Sequence, residues 1–428
     1  MKINTKDIVV GVIGLGYVGL PRALQFCNKK IKVFAFDKDI NKLNSLKQKK
    51  KYLSNINSKD IKKNIENKRL IPTSDFSKIS EVDAIFLCLP TPLKNYKPDL
   101  SYIKNTFNDI KRYLKKNQLL CLESTSYPGT TKEIFSNYLN KKFSIGENFY
   151  LGYSPERNDP SQSFVESNKI PKLISGFSNN CLKVVDFYYS TIFNKTIKMD
   201  TIELAEMTKL YENIYRSINI GFVNEMKQIC YKMNLDIDEI IKGAKTKPFG
   251  FKAFYPGPGL GGHCIPIDPF YLTWKAKQFD LKTEFINLSG KVNNSIPKWV
   301  VSVMFKNLRE IKRKSKTIKI LVLGIAYKKN INDTRESPGL KIIDILKKRK
   351  VKVSYSDPFI PKIPKLRNYN FETMKSITLS KKNLTKFDAC ILVTDHDKFD
   401  YENILKYSKI IIDTRHRLNK KFNNVIYA

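Results

Sequence analysis

Histidine and acid are scarce in this sequence. Only three of its 428 residues are histidine (His263, His396 and His416), too few for a histidine-rich metal centre. The seven cysteines are Cys27, Cys88, Cys121, Cys181, Cys230, Cys264 and Cys390. They form no Cys-x-x-Cys pair, their number is odd, and most lie in apolar surroundings. A disulfide framework and a zinc-binding arrangement are therefore not expected. No apolar run approaches the roughly 20 residues that a membrane span needs. Residues 1–7 lack the apolar stretch and small-residue cleavage site of a signal peptide. The expectation is a cytoplasmic protein with no membrane partner.

The shortage of acid leaves 77 basic against 40 acidic residues, a net charge of +37. Such a balance fits a nucleic-acid partner or lysines spread over solvated faces. The lysines run through the whole chain, from the cluster at 47–51 to the cluster at 312–316, and no nucleic-acid motif is interleaved with them. No nucleic-acid partner is expected. Electrostatic steering of an anionic substrate is a by-product of the charge.

What is present is ordinary core material: 42% of residues are hydrophobic. At roughly 150 residues per domain, the length suggests two or three domains. Residues 8–13 and 32–37 read as buried strands with a helix from Gly19 to Lys29 between them, a βαβ unit. Apolar strands follow at 83–89, 118–123, 149–153 and 172–176. This alternation predicts a parallel, doubly wound α/β sheet. The pattern then changes to one long helix over 201–233, with Asp200 and Glu203 resembling a capping box at its start. A loop rich in glycine and proline occupies 248–269, and more helix runs to about 312. A second βα series has strands at 318–323, 351–356, 389–394 and 409–413 and a helix at 339–349. It is Rossmann-like but lacks a Gly-x-Gly-x-x-Gly. The expected fold is two Rossmann-like, doubly wound domains joined by a long central helix.

Three motifs carry chemistry. Gly14-Leu15-Gly16-Tyr17-Val18-Gly19 follows the first strand and opens the first helix. Its glycines allow a tight turn, close approach of a pyrophosphate, and close helix–strand packing. Asp37 ends the second strand, where a carboxylate accepts from the adenosine ribose and disfavours a 2′-phosphate. NAD is the expected cofactor; a glycine-rich packing turn is the plainer alternative. The second motif, 257–269, sets Cys264 after flexible glycines and four residues before Asp268. A thiol there can add to an aldehyde, and Asp268 can assist proton transfer. The alternatives are a small buried cysteine and a helix-capping aspartate. The third places Lys209 and Asn213 four apart, on one helix face. They can stabilise an oxyanion, although spacing alone favours a solvated lysine beside a polar neighbour. Loops 123–131 and 153–157 add polar groups at strand ends.

Taken in order, these segments resemble the UDP-glucose/GDP-mannose dehydrogenase family from Val9 to about Leu418. Gly324-Ile325-Ala326-Tyr327-Lys328-Lys329 and Asp333-Thr334-Arg335-Glu336-Ser337-Pro338 extend the resemblance through the C-terminal half. It implies an NAD-binding domain over 1–200, a central helical dimerisation domain with the cysteine loop over 201–314, and a UDP-sugar-binding domain over 315–428. It implies Cys264 as nucleophile, with Lys209, Asn213, Asp268, Thr125 and Glu156 as partners. Cofactor contacts would come from Gly14, Gly16, Tyr17, Val18, Gly19, Asp37, Pro90, Thr91, Thr125 and Arg335. Substrate contacts would come from Glu156, Lys209, Asn213, Tyr255, Gly259, Lys328 and Arg415. A homodimer through the central helix is expected, with no resident metal.

The implied reaction oxidises the C6 alcohol of a nucleotide sugar in two hydride steps through a thiohemiacetal and a thioester on Cys264. Ile267, where many UDP-glucose enzymes carry Lys, resembles the branch acting on UDP-N-acetylglucosamine or its galacto epimer. Asn158-Asp159-Pro160-Ser161 departs from that branch, which has an apolar residue and then Asn-Pro-Gly. The rivals are a UDP-glucose 6-dehydrogenase, a GDP-mannose enzyme, a two-domain 3-hydroxyacid dehydrogenase, and a basic nucleic-acid-binding protein on a dehydrogenase fold.

Overall fold

A computed structural model describes residues 8–53, 56–94, 97–157, 170–262, 265–309, 317–366, 369–371 and 373–428. The chain forms two compact units: Met1–Glu212 with Phe270–Leu281, and Asn213–Pro269 with Lys282–Ala428.

The first unit holds β1 (Val9–Ile13), β2 (Lys32–Phe36), β3 (Leu70–Thr73), β4 (Ala84–Leu87), a short ribbon of β5 (Leu93–Lys94) and β6 (Lys97–Pro98), β7 (Leu119–Leu122), β8 (Tyr150–Tyr153), β9 (Lys172–Gly176) and β10 (Thr196–Lys198). Its main sheet runs β10-β9-β8-β7-β4-β1-β2-β3. The order reverses between β1 and β4, which makes their C-terminal ends the crevice of a doubly wound sheet. One pair departs from the expected parallel sheet: β8 and β9 are antiparallel. The chain re-enters beside β8 in the opposite direction, giving a mixed edge on a parallel sheet.

The helix α1 (Gly19–Asn28) follows β1. Pro21 sits in its first turn, where a missing amide costs nothing. Leu20, Ala23, Leu24, Phe26 and Cys27 bury its apolar face. Phe26 packs tilted, 5.0 Å from Phe86 of β4, which meets Tyr189 edge-on at 5.5 Å. Each fully buried side chain of this size contributes about 1.5–3 kcal/mol.

The helix α2 (Ile202–Met233) passes from the first unit into the second. Its start corrects the expected capping box. The Thr201 hydroxyl, not Asp200, accepts from the Leu204 amide at 3.2 Å. Glu203 turns outward to Lys132 at 2.8 Å. With Thr201 as cap, the third helical position is Leu204, which has no carboxylate to return.

The second unit contains a five-stranded parallel sheet in the order β12-β11-β13-β14-β15. Its strands are β11 (Lys319–Leu323), β12 (Lys352–Ser356), β13 (Ala389–Leu392), β14 (Ile411–Asp413) and β15 (Val425–Tyr427). Helix α3 (Glu284–Arg309) packs Val300, Val301, Met304 and Leu308 into this unit's core. Helix α4 (Pro338–Lys348) follows β11 after a long turn and adds Leu340, Ile342, Ile343 and Leu346. Among the described residues, no helix is long and apolar enough to cross a membrane.

Candidate active site

In the first unit the glycine loop is closed by backbone. The Gly14 amide donates to the Phe36 carbonyl at 2.8 Å, and φ at Gly14 is +93°. A Cβ on Gly14 would lie 2.4 Å from the Cys88 carbonyl oxygen, and one on Gly19 only 1.8 Å from that of Gly14. At Gly16 a Cβ would meet nothing within 4 Å, so the backbone there faces open space. Val18 precedes α1 and supplies no side-chain cap. The Leu20 and Arg22 amides bond back to the Gly16 and Val18 carbonyls, and no side chain covers the positive end of the helix, which suits a phosphate. Tyr17 and Val18 pack against the core beside the loop. Asp37 closes the turn: its carboxylate accepts from the Leu15 amide at 2.8 Å and from Lys42 Nζ at 3.1 Å. Across the crevice, buried Thr91 and exposed Pro90 follow β4. These residues fit a dinucleotide: the open backbone has room for a pyrophosphate, and the Asp37 carboxylate would suit a ribose hydroxyl.

Two loops of this unit are pinned to α2. Glu206 is fully buried and accepts from the Gly129 amide (2.6 Å), the Thr131 amide (2.9 Å) and hydroxyl (2.7 Å), and the Ser126 hydroxyl (3.2 Å). Burial pushes its carboxyl up to about 7, while those four donors work the other way. Half-buried Thr125 is held between Ser124, which accepts from the Leu89 amide, and Ser126. Lys209 is buried, not solvated, and donates to the Glu156 carbonyl at 2.7 Å. Arg157, next in the same loop, forks onto Glu212 with contacts from 2.6 to 3.1 Å. The Glu156 carboxylate meets Arg22 at 2.7 Å and Lys172 at 3.4 Å. Neither cation stands out in the sequence. Arg22 is a charge on an otherwise apolar first turn, and Lys172 opens a strand.

In the second unit, Asn213 Nδ2 donates to Asp268 Oδ2 at 2.6 Å. Asp268 is buried and begins the helix Asp268–Ala276. The glycine loop before it folds onto Tyr327: a Cβ on Gly262 would lie 2.9 Å from that ring. The Gly262 amide donates to the Arg335 carbonyl at 2.9 Å. His263 and Cys264 lie outside the described residues. Upstream, Gly257 is held at both ends. Its amide donates to Asn224 Oδ1 at 3.0 Å, and its carbonyl accepts from buried Lys227 at 2.9 Å. Burial, then the nearby Arg415 charge, lowers Lys227 to about 7. Tyr255 is exposed, and Gly259 takes φ +120° against the Asn293 carbonyl. Arg415 donates through Nε to the Val393 carbonyl at 2.8 Å. The Arg335 guanidinium closes on Asp333, with a shortest contact of 2.6 Å. Lys328 is half-buried.

The six described cysteines are all buried. Burial raises the thiols of Cys27 and Cys88 well above their ordinary value, Cys121 to about 12 and Cys390 to about 11. Such thiols are poor nucleophiles. No cluster of His, Cys, Asp or Glu that could hold a metal occurs among the described residues.

Comparison with known proteins identifies the family. Three family models match in order: the UDP-glucose/GDP-mannose dehydrogenase NAD-binding domain at 8–193, the central domain at 203–295 and the UDP-binding domain at 321–420. A UDP-N-acetyl-D-glucosamine 6-dehydrogenase of Pseudomonas aeruginosa is 31% identical over 97% of this chain and 98% of its own. A UDP-N-acetyl-D-mannosamine dehydrogenase of Methanococcus vannielii is 30% identical over 95% of this chain and 92% of its own. The solved structure of the UDP-D-ManNAc dehydrogenase of Pyrococcus horikoshii superposes with a TM-score of 0.87 at 28% identity, covering 98% of both chains. The chain belongs to the UDP-glucose/GDP-mannose dehydrogenase family and is an NAD-dependent nucleotide-sugar dehydrogenase.

Proposed function

We propose that the chain oxidises the C6 hydroxyl of a UDP-N-acetylhexosamine to a carboxylate, with Cys264 holding the intermediate aldehyde. The observation that carries this reading is the 2.6 Å hydrogen bond from Asn213 to Asp268. It ties an amide on α2 to an acid just beyond the cysteine loop, one helical turn after Lys209.

NAD, exchanged once between the two oxidations, would supply the hydride acceptor for each. The Asp268 carboxylate takes the hydroxyl proton, directly or through water, as C6 loses its hydride. The Cys264 thiolate adds to the aldehyde, and Lys209 and Asn213 stabilise the oxyanion of the thiohemiacetal. A second hydride loss gives the thioester. Water positioned by Thr125 and Glu156 adds to it, and the thiolate departs with release of the uronate. The carbonyl–Lys209 contact at 2.7 Å keeps that ammonium aimed without neutralising it. Burial of the other six cysteines leaves Cys264 as the thiol suited to the role. Arg335, Lys328, Arg415, Tyr255 and Gly259 would receive the nucleotide and cofactor phosphates.

Ile267 and the N-acetylhexosamine relatives support an acetamido sugar. The relatives add UDP-N-acetylmannosamine to the glucosamine and galactosamine candidates. The three-part organisation, 1–200, 201–314 and 315–428, belongs to this reading. So does a homodimer through α2, whose exposed Leu204, Tyr211, Tyr215, Phe222, Ile229 and Met233 recur at spacings of seven and four. NAD and UDP-sugars are cytoplasmic metabolites, and a UDP-uronate is a donor for acidic surface polysaccharide.

The test is NADH formation with UDP-N-acetylglucosamine, UDP-N-acetylgalactosamine, UDP-N-acetylmannosamine and UDP-glucose in parallel. Two NADH per sugar with an N-acetylhexosamine preferred is the expected result, and Cys264→Ala abolishes uronate formation. Preference for UDP-glucose overturns the sugar assignment. One NADH per sugar, or a fully active Cys264→Ala enzyme, overturns the covalent mechanism.

A further inference from the structure

A closed group of four charges lies beneath the Glu156 loop. Arg22 donates through Nε and Nη2 to the two oxygens of Glu123, at 2.7 and 2.9 Å. The same Nη2 reaches Glu156 Oε2 at 2.7 Å. Lys172 Nζ meets Glu123 at 3.2 Å, Glu156 Oε2 at 3.4 Å and the Pro155 carbonyl at 3.0 Å. Arg22, Glu123 and Lys172 are buried, and the side chain of Glu156 is 12% exposed. Tyr189 donates to Glu123 at 2.8 Å, Gln25 accepts from Arg22 Nη1, and Phe193 lies 4.8 Å from the guanidinium. Two cations and two carboxylates cancel, which is what allows the group to be buried.

The four members differ in where they lead. Glu123 and Lys172 point inward from strand ends. Arg22 sits on the first turn of α1, three residues after Gly19, and Glu156 is the only member with an edge toward solvent. The other Glu156 oxygen, Oε1, accepts from the Arg157 amide at 2.8 Å. The Glu156 carbonyl meanwhile receives Lys209.

We propose that Arg22 is a positioning residue for Glu156. It grips that carboxylate and fixes its orientation, and so links the helix that receives the cofactor phosphates to the loop that aims Glu156 and Lys209. The proposal rests on the reading that Glu156 assists thioester hydrolysis. Guanidinium suits the task because it stays charged when buried and can grip two carboxylates at once. Burial works against the Arg22 charge, but Glu123 and then Glu156 outweigh it, so the group binds its proton more tightly than usual. Lys172 cannot replace it: its point charge is farther from Glu156 and is shared with a carbonyl.

Removing Arg22 alone would bury an uncompensated negative charge. The informative variant is therefore Arg22→Met with Glu123→Gln, which returns the group to neutrality. Glu123→Gln alone is the control that keeps the Arg22–Glu156 contact. The readouts are melting temperature, KM for NAD, the amplitude of the NADH burst, and kcat against pH. Relative to the control, the double variant is expected to keep the NADH burst and lose at least about tenfold in kcat. Its acid limb should move upward by about one pH unit or more, as expected for a carboxylate deprived of a cation at this distance. Arg22→Lys, which keeps the charge and loses the fork, should recover part of both.

A folded double variant with the control's kcat and pH profile overturns the proposal. If the double variant does not fold, Arg22→Lys decides: an unchanged kcat and profile overturn it as well. Glu156→Gln separates the two ideas. If Glu156→Gln slows the steady state and the double variant does not, only the role of Arg22 fails. If Glu156→Gln is without effect, the hydrolytic reading of Glu156 fails and takes the role of Arg22 with it.

Discussion

The chain builds the same turn twice and leaves only one of the two open to a ligand. After β1, the Gly14 amide donates to the Phe36 carbonyl, and the Leu15 amide donates to Asp37 at the end of β2. After β11, the Gly324 amide donates to the Ser356 carbonyl, and the Ile325 amide donates to Asp357 at the end of β12. Both glycines have positive φ, +93° and +78°, and a Cβ on either would strike a carbonyl oxygen at 2.4 Å. The differences lie in what is left over. The first helix starts at Gly19 without a side-chain cap, whereas the second starts at Pro338 with the Ser337 hydroxyl accepting from the Gly339 amide at 3.1 Å. Asp37 keeps some solvent exposure; Asp357 is fully buried and bonded to His396 at 3.0 Å. What separates the two turns is thus the uncapped helix end and the burial of the carboxylate: Asp37 meets Lys42 at the surface, whereas Asp357 is sealed against His396.

The glycine in the first turn of each helix is the sharpest way to break the comparison. Gly19→Ala puts a methyl 1.8 Å from the Gly14 carbonyl, while at Gly339 the nearest approach, to the Gly324 carbonyl, is 3.1 Å. Overpacking of this kind costs about 1–3 kcal/mol or more. With 1.4 kcal/mol worth about tenfold, Gly19→Ala should weaken NAD binding at least about tenfold in an NADH fluorescence titration. Gly339→Ala should leave NAD affinity unchanged. Equal losses at both sites would mean that the second turn also contributes to cofactor binding.

Exchanging the terminal carboxylates gives the next largest effect. Asp37→Asn removes charge-assisted bonds worth about 1.5–3 kcal/mol and releases Lys42, now 3.1 Å from Asp37, to face a 2′-phosphate. NAD affinity should fall roughly tenfold or more, while NADP binding improves. Titrations with NADH and NADPH on the same variant decide it; an unchanged preference would show that the Asp37 carboxylate does not read the ribose. Asp357→Asn should alter neither titration.

The sequence showed the open turn and missed its twin for one reason. Gly14, Gly16 and Gly19 are compressed into six residues, whereas Gly324 and Gly339 are separated by the long segment that carries Tyr327, Lys328 and Arg335. The same logic explains the strands. Central strands such as β4 and β7 are continuous apolar runs and were legible. The unforeseen β3, β10 and β15 are all sheet edges. β3 even contains Pro72, which an edge accommodates because no ladder bond is required on its outer side. In the site, the glycine loop, Asp37 and the Cys264 loop were visible as local patterns. Lys209 read on spacing alone as a solvated residue, and only its contact with the Glu156 carbonyl reveals a buried one. Arg22, Lys172 and Glu206 had no local signal, because, Gln25 beside Arg22 apart, their partners lie between 16 and 134 residues away.

The smallest effect separates the two carboxylates by acid. Burial alone would raise Asp357, but the hydrogen bond and charge of His396, with the Ile325 and Phe359 amides, outweigh it and hold the carboxyl below its ordinary 3.8. A depressed acid stabilises the fold above the unfolded value and loses that contribution as pH falls through the folded one. The window is therefore below 3.8. Asp357→Asn should cost about 1–3 kcal/mol in urea melts at neutral pH. Its deficit against the parent should shrink as the pH is lowered past 3.8, because protonation of Asp357 then weakens the parent as well. A deficit that stays constant into acid would mean that the Asp357 charge contributes nothing. The second turn would then be held by hydrogen-bond geometry alone, and its carboxylate would differ from Asp37 only in being covered.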